Sequence, residues 1–332
     1  MNITFERRNL RQIIQYYGFP IILILVLIFL AVSTRNFFTL RNIMGLLHSS
    51  APIMITASGL ALVVMSGNID ISIGSITFLS STIAAVLIVR LGVSPVLAVP
   101  LVFVTGAACG AVTGLIVTKL RMNPLIASMG MLFILRGFAL RLTEGRVISL
   151  PDAFRNFGNL KIGFVYVDVI IAIIFIIFVH LLHTKTSFGR NIMAIGNDQK
   201  AAQTIGINTD KVLFFSFVLS GLFASIGGFF NAMQLGGVTL HMGQGLEFTG
   251  IAMIVVGGIS LFGGEGSIIP GFILGVFTLN LIENGLNHLG ASPYAYPFFR
   301  GGVIFVAMFA DTLKARVRRR GTKTQETGES TT

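Results

Sequence analysis

The stretch QIIQYYGFPIILILVLIFLAVST, residues Gln12 to Thr34, holds no charged side chain between Arg11 and Arg35. A helix needs ~20 apolar residues to cross the hydrocarbon core of a bilayer. This run is long enough, too long for the core of a signal peptide, and no small-residue cleavage site closes it. It reads as a retained first membrane span.

Working outward, the whole chain has the same character. Of its 332 residues 54% are hydrophobic and 11% charged, and mean hydropathy is +0.85. Soluble domains carry about a quarter charged residues. The apolar runs are long and unbroken, which indicates helices; a barrel would show short alternating segments. The expected fold is therefore all-α, a polytopic helical bundle in the membrane. The single Cys109 lies in GAACGAVTG and excludes an internal disulfide framework. The net charge of +11 is largely topological, because Lys and Arg gather at the ends of spans, so no nucleic-acid partner is expected.

Ten spans are read: 12–34, 50–66, 71–90, 94–118, 123–143, 163–183, 211–235, 245–262, 266–289 and 296–313. With both termini cytoplasmic, fifteen Lys and Arg fall inside and six outside, the direction the positive-inside rule favours. The domain organisation is then a cytoplasmic N-terminus (1–11), one transmembrane domain (12–313) with a cytoplasmic loop over 184–210, and a basic tail (314–332). Segment 35–49 is amphipathic and short, and is expected along the outer interface. Segment 144–162 is the largest external loop. Small residues such as Gly106, Gly110, Gly221, Gly227 and Gly228 favour close helix packing.

Several activities lack their motifs. No G-x-x-x-x-G-K-[ST] phosphate loop, H-E-x-x-H or G-x-S-x-G occurs, and the five His are scattered. The chain is therefore read as no enzyme, with no cofactor or metal of its own. With no Trp and five Tyr, a high-affinity sugar-stacking pocket is not indicated either.

Two polar segments stand out. SGNIDISIGS, Ser66–Ser75, sets Asn68, Asp70, Ser72 and Ser75 between two apolar runs. A carboxylate at membrane depth costs ~2.5–3.5 kcal/mol on insertion scales, so it faces protein or water. Either it forms a turn in which Asp70 and Ser72 cap the next helix, or these four residues line a translocation path or its inner gate. A second glycine-rich break, VVGGISLFGGEGS (Val255–Ser267), has similar lettering. Arg136, Arg141, Glu247, Glu283, Arg300 and Asp311, in or near spans, are expected to pair with one another or with interfacial water.

The other segment is TSFGRNIMAIGNDQKAAQTIGINTDKV, Thr186–Val212, a polar island on the cytoplasmic side. It reads as a helical turn between Gly189 and Gly196, then a short helix capped by Asn197 or Asp198 and stopped by Gly206. Ala201, Ala202 and Ile205 form a small apolar face suited to a groove on another protein.

GNIDISIGS resembles the G-G-I-D-L-S-V-G-S signature of permease subunits in ribose-type ABC sugar importers, with Asn68 where the family has Gly. FGRNIMAIGNDQKAAQTIGIN is similar to their cytoplasmic coupling loop, and GGEGSIIPGFILG to their later glycine-rich segment. The resemblance implies that Gly189, Arg190, Ala194, Gly196, Asn197, Ala201, Ala202, Gly206 and Ile207 belong to a loop that docks on a cytoplasmic ABC ATPase, where ATP is bound. Gly67, Ile69, Asp70, Ser72, Gly74 and Ser75 fall on the membrane signature. It further implies a bacterial inner membrane, a periplasmic sugar-binding protein and a second permease subunit. Branched-chain amino acids or nucleosides are the alternative cargo, and a stand-alone channel or secondary carrier the alternative mechanism.

Overall fold

The computed structural model describes residues 38–306, together with Ile28 and Phe309. Apart from Ile28, the first span lies outside the described residues, as do the N-terminal segment, the end of the tenth span with Asp311, and the basic tail.

The long helices are α1 (Leu40–Met65), α2 (Ile73–Ala85, continued by a π turn to Arg90), α3 (Pro95–Thr118), α4 (Pro124–Thr143), α6 (Val167–Lys185), α9 (Thr209–Leu235) and α11 (Ile273–His288, preceded by a π turn from Ile268). These seven are long and apolar enough to cross a membrane. Shorter ones are α5 (Asp152–Gly158), α7 (Ser187–Asn197), α8 (Gln199–Thr204) and α10 (Leu246–Val256), and 296–306 is also helical. Two antiparallel pairs of two-residue strands complete the list: β1 (Ile148–Ser149) with β4 (Gly237–Val238), and β2 (Lys161–Ile162) with β3 (Val165–Tyr166). The all-α polytopic reading holds.

The ends follow local chemistry. Pro95 and Pro124 open α3 and α4 at the first helical position, where a missing N–H costs nothing. Asn123 caps α4 by accepting from Leu125 N at 2.9 Å, and left-handed Gly236 closes α9.

Three expectations change. Residues 40–49 are the first turns of α1 and do not form a separate interfacial helix. Pro52 inside α1 frees the carbonyl of His48, four residues back, and Gln234 Nε2 donates to it at 2.7 Å. The helix can therefore run on through the proline. The span expected over 245–262 is helical only in α10, eleven residues, about 16 Å and too short to cross alone. The 144–162 segment is no plain loop: it holds β1, α5 and β2, and β1 is paired with β4.

The chain divides into two compact units, residues 44–277 and the flanking 1–43 with 278–332. Within the larger, α9 is the hub. A Cβ at Gly110 would collide with the Phe217 carbonyl, and one at Gly228 with Thr77, so α3 and α2 meet α9 backbone to backbone, the close approach that small residues permit in membranes. About three quarters of the α1 and α9 spans are buried, 78% and 72%, against 28% of α4 and of α6. Cys109 is a buried free thiol on α3. In the smaller unit, Arg300 pairs with Glu283 at 2.5 and 3.0 Å, as expected of ionisable groups there.

Candidate functional site

The α6–α9 connection is built from two capped helices. Thr186 Oγ1 accepts from Gly189 N at 3.3 Å and opens α7. Gly189 and Gly196 sit inside α7, where the sequence reading had them as its borders. The reason is contact: a Cβ at Gly189 would strike the His183 backbone, so glycine here serves the sharp elbow between α6 and α7. Asp198 is the N-cap of α8. Its Oδ1 accepts from Lys200 N at 2.8 Å and Ala201 N at 3.0 Å. Gly206, at φ +86°, ends the turn.

The far end of α7 meets both glycine-rich breaks. A Cβ at Gly196 would collide with the carbonyl of Met65, the last residue of α1, and with the amide of Gly264. Those two groups are themselves hydrogen bonded, Gly264 N to Met65 O at 2.9 Å. Asn197 packs its side chain against Gly264, and Gly67 and Gly263, both left-handed, face one another. Three segments separated by more than sixty residues thus share one contact, backbone to backbone at Gly196 and with the Asn197 side chain against Gly264.

The first break is locked by a carboxylate. Asp70 is fully buried; it accepts from Ser72 N at 3.0 Å, Ser72 Oγ at 2.5 Å and Ser220 Oγ of α9 at 2.8 Å. Burial pushes the Asp70 carboxyl above the ordinary carboxylate range, and the bonds from Ser72 and Ser220 pull it back. Asp70 is therefore the turn-former before α2. Ser72 makes no side-chain cap, because its hydroxyl is spent on Asp70. Asn68 Nδ2 donates to Ser66 O and Oγ, each at 3.0 Å. Ser75 is fully buried, with no hydrogen-bond partner for its hydroxyl among the described residues. Ser220 went unread in the sequence. A serine in an apolar helix carries no signal until its partner, 150 residues away, is known.

Of the coupling-loop residues, Arg190, Asn197, Ala201 and Gly206 are exposed and Gly189 is buried. Ala194, Gly196 and Ile207 lie between. Ala202 is buried at 2% exposure while Ile205 is 73% exposed. Ala202 therefore packs inward, and the free apolar contact of α8 is Ile205, beside Ala201. The sequence reading had put all three on one outward face. α8 is too short for its helical period to be resolved by pattern alone.

The opposite end of the unit is held by side chains. Asp168, buried in the first turn of α6, lies 2.8 Å from His48 Nδ1 and accepts from Gln234. His48 stacks on Tyr166 at 3.8 Å, and Arg90 meets Glu144 at 3.0 Å. Midway, Arg136 donates to Met242 O at 3.1 Å from above the Phe78 ring.

A family model described as the permease component of the branched-chain amino acid transport system matches residues 42–308. The chain belongs to this permease family. The permease is 35% identical over 300 residues to the ribose import permease protein RbsC of Escherichia coli (strain K12), covering 89% of this chain and 92% of the relative. It is 34% identical over 314 residues to RbsC of Bacillus subtilis (strain 168), 93% and 97%. To the autoinducer 2 import system permease protein LsrC of Photorhabdus luminescens it is 32% identical over 289 residues, 85% of each. No solved structure matches it. The matched region holds all three glycine-bearing segments of the site.

Proposed function

We propose that the chain is the membrane-spanning permease subunit of an ATP-driven importer in the bacterial inner membrane. It carries a sugar or sugar-like substrate handed over by a periplasmic binding protein, and works beside a second permease subunit. The observation that carries the reading is the seating of Gly196 against the ends of both breaks. A push on α7 and α8 by a cytoplasmic ATPase reaches Met65 and Gly264 with no side chain in between to absorb it. Those residues end or adjoin the helices whose movement would open the inner side. The coupling is as strong as the difference between the contacts α8 makes in the two states. Ile205 and Ala201 are the surface for that contact, and the Asn68–Ser75 turn is the nearest part of the path to it.

The cargo reading rests on relatives named for ribose and autoinducer 2 along nearly their whole length. The test is reconstitution of the permease with its ATPase and binding protein, following labelled ribose. Uptake should require ATP and all components, and Ile205→Glu should abolish it while the protein still inserts. Uptake by the single chain without ATP would refute the mechanism. ATP-dependent uptake of leucine in place of sugar would refute the cargo and leave the mechanism standing.

A further inference from the structure

A cavity of about 290 Å³ opens where α3 ends and α9 begins, at the same end of the unit as α7 and α8. This is just below the usual range of ligand pockets, ~300–1,000 Å³: room for a headgroup and not for a whole lipid. Its polar wall carries Lys119 and Lys211, and its apolar wall Leu115 and Phe214. Asp210 also lines it and would neutralise the lysines, but Arg121 holds both its oxygens, at 2.8 and 3.0 Å. Among the described residues neither lysine is in an ion pair. Three cations therefore stand against one carboxylate already engaged, above the positive end of the 27-residue α9. Below the cavity, Val112 and Leu115, one helical turn apart on α3, are each 46% exposed, a strip on which acyl chains can lie.

We propose that this cavity binds the headgroup of an anionic membrane phospholipid, the phosphate between Lys119 and Lys211 and the acyl chains along Val112 and Leu115. A soluble phosphate would satisfy the lysines equally but would leave the apolar strip unused; the strip, continuous with the cavity, favours the lipid. Basic pockets between spans on the cytoplasmic side have the chemistry such headgroups need. The site adjoins the first residues of α9, whose cap residue Asn208 lies four residues after Thr204, the end of α8. An occupied site would anchor this side of the coupling segment.

The experiment is titration of the purified full chain in detergent with fluorescent phosphatidylglycerol, phosphatidylcholine and inorganic phosphate. Phosphatidylglycerol should bind in preference to phosphatidylcholine. At about fivefold per lysine, K119Q/K211Q should weaken it roughly 25-fold, K119R/K211R should keep most of the affinity, and Lys161→Gln at the opposite end should change nothing. Undiminished binding to a folded K119Q/K211Q protein would overturn the proposal. So would equal affinity of the unsubstituted chain for the two lipids, a result that needs no variant to fold. Displacement of phosphatidylglycerol by millimolar phosphate would show a soluble-anion site and overturn the lipid assignment.

Discussion

The two ends of the 44–277 unit differ in what joins their helices, although both include backbone contacts, as where Gly158 meets Met233 and β1 pairs with β4. At the α7–α8 end, Gly67, Gly196, Gly263 and Gly264 bring three segments together backbone to backbone. At the other end, Asp168, His48, Gln234 and Tyr166 tie α1, α6 and α9 by hydrogen bonds and stacking. Side-chain bonds can be loosened one at a time, at about 1–3 kcal/mol for each buried group left unsatisfied. A backbone contact leaves no such latitude, since any added atom must push whole segments apart. Under the proposed mechanism the glycine end is the one to transmit displacement and the bonded end the one to stay put.

The largest test of that contrast is Gly196→Val. The added carbons have only the Met65 carbonyl and the Gly264 amide to move against, so reconstituted uptake should fall at least about tenfold, from a protein that still inserts. At the opposite end, Asp168→Leu should lower stability by about 2 kcal/mol, read as a drop in detergent melting temperature. Uptake by the protein that remains folded should persist. If Asp168→Leu stopped transport and Gly196→Val did not, the roles of the two ends would be reversed. Asp198→Ala removes the N-cap of α8 and should cost about 1 kcal/mol of local helix stability, seen as faster proteolysis of the 198–208 segment and a partial loss of uptake. Smallest is Gly45→Ala, in α1 with nothing near the added methyl. It should leave uptake intact and raise stability by about 0.5 kcal/mol.

Much of this was legible in the residues. Span-length apolar runs indicated a helical membrane bundle, since no soluble fold could cover them. The polar island between Thr186 and Val212 announced a structured connection, because its cap and stop residues are local signals. Gly206 stops the second helix where it was placed, and Asp198 proved to be the cap of the two offered. Where the reading went astray, the deciding partner lay far along the chain. The amphipathic look of 35–49 argued for a separate interfacial segment, and only Gln234 shows how α1 passes Pro52. Gly189 and Gly196 looked like helix borders, the usual local meaning of glycine; their reason is the proximity of His183, Met65 and Gly264.

By itself, then, the sequence determined the all-α membrane class, the polar island and the three glycine-bearing segments, all of which rest on composition and on signals within a few residues. The tertiary structure alone decided that these segments meet at Gly196, that Asp70 is held by Ser220, and that Ile205 rather than Ala202 faces outward. Close approach between helices depends on which small residues oppose one another across the bundle, and nothing local along a chain records its distant neighbour.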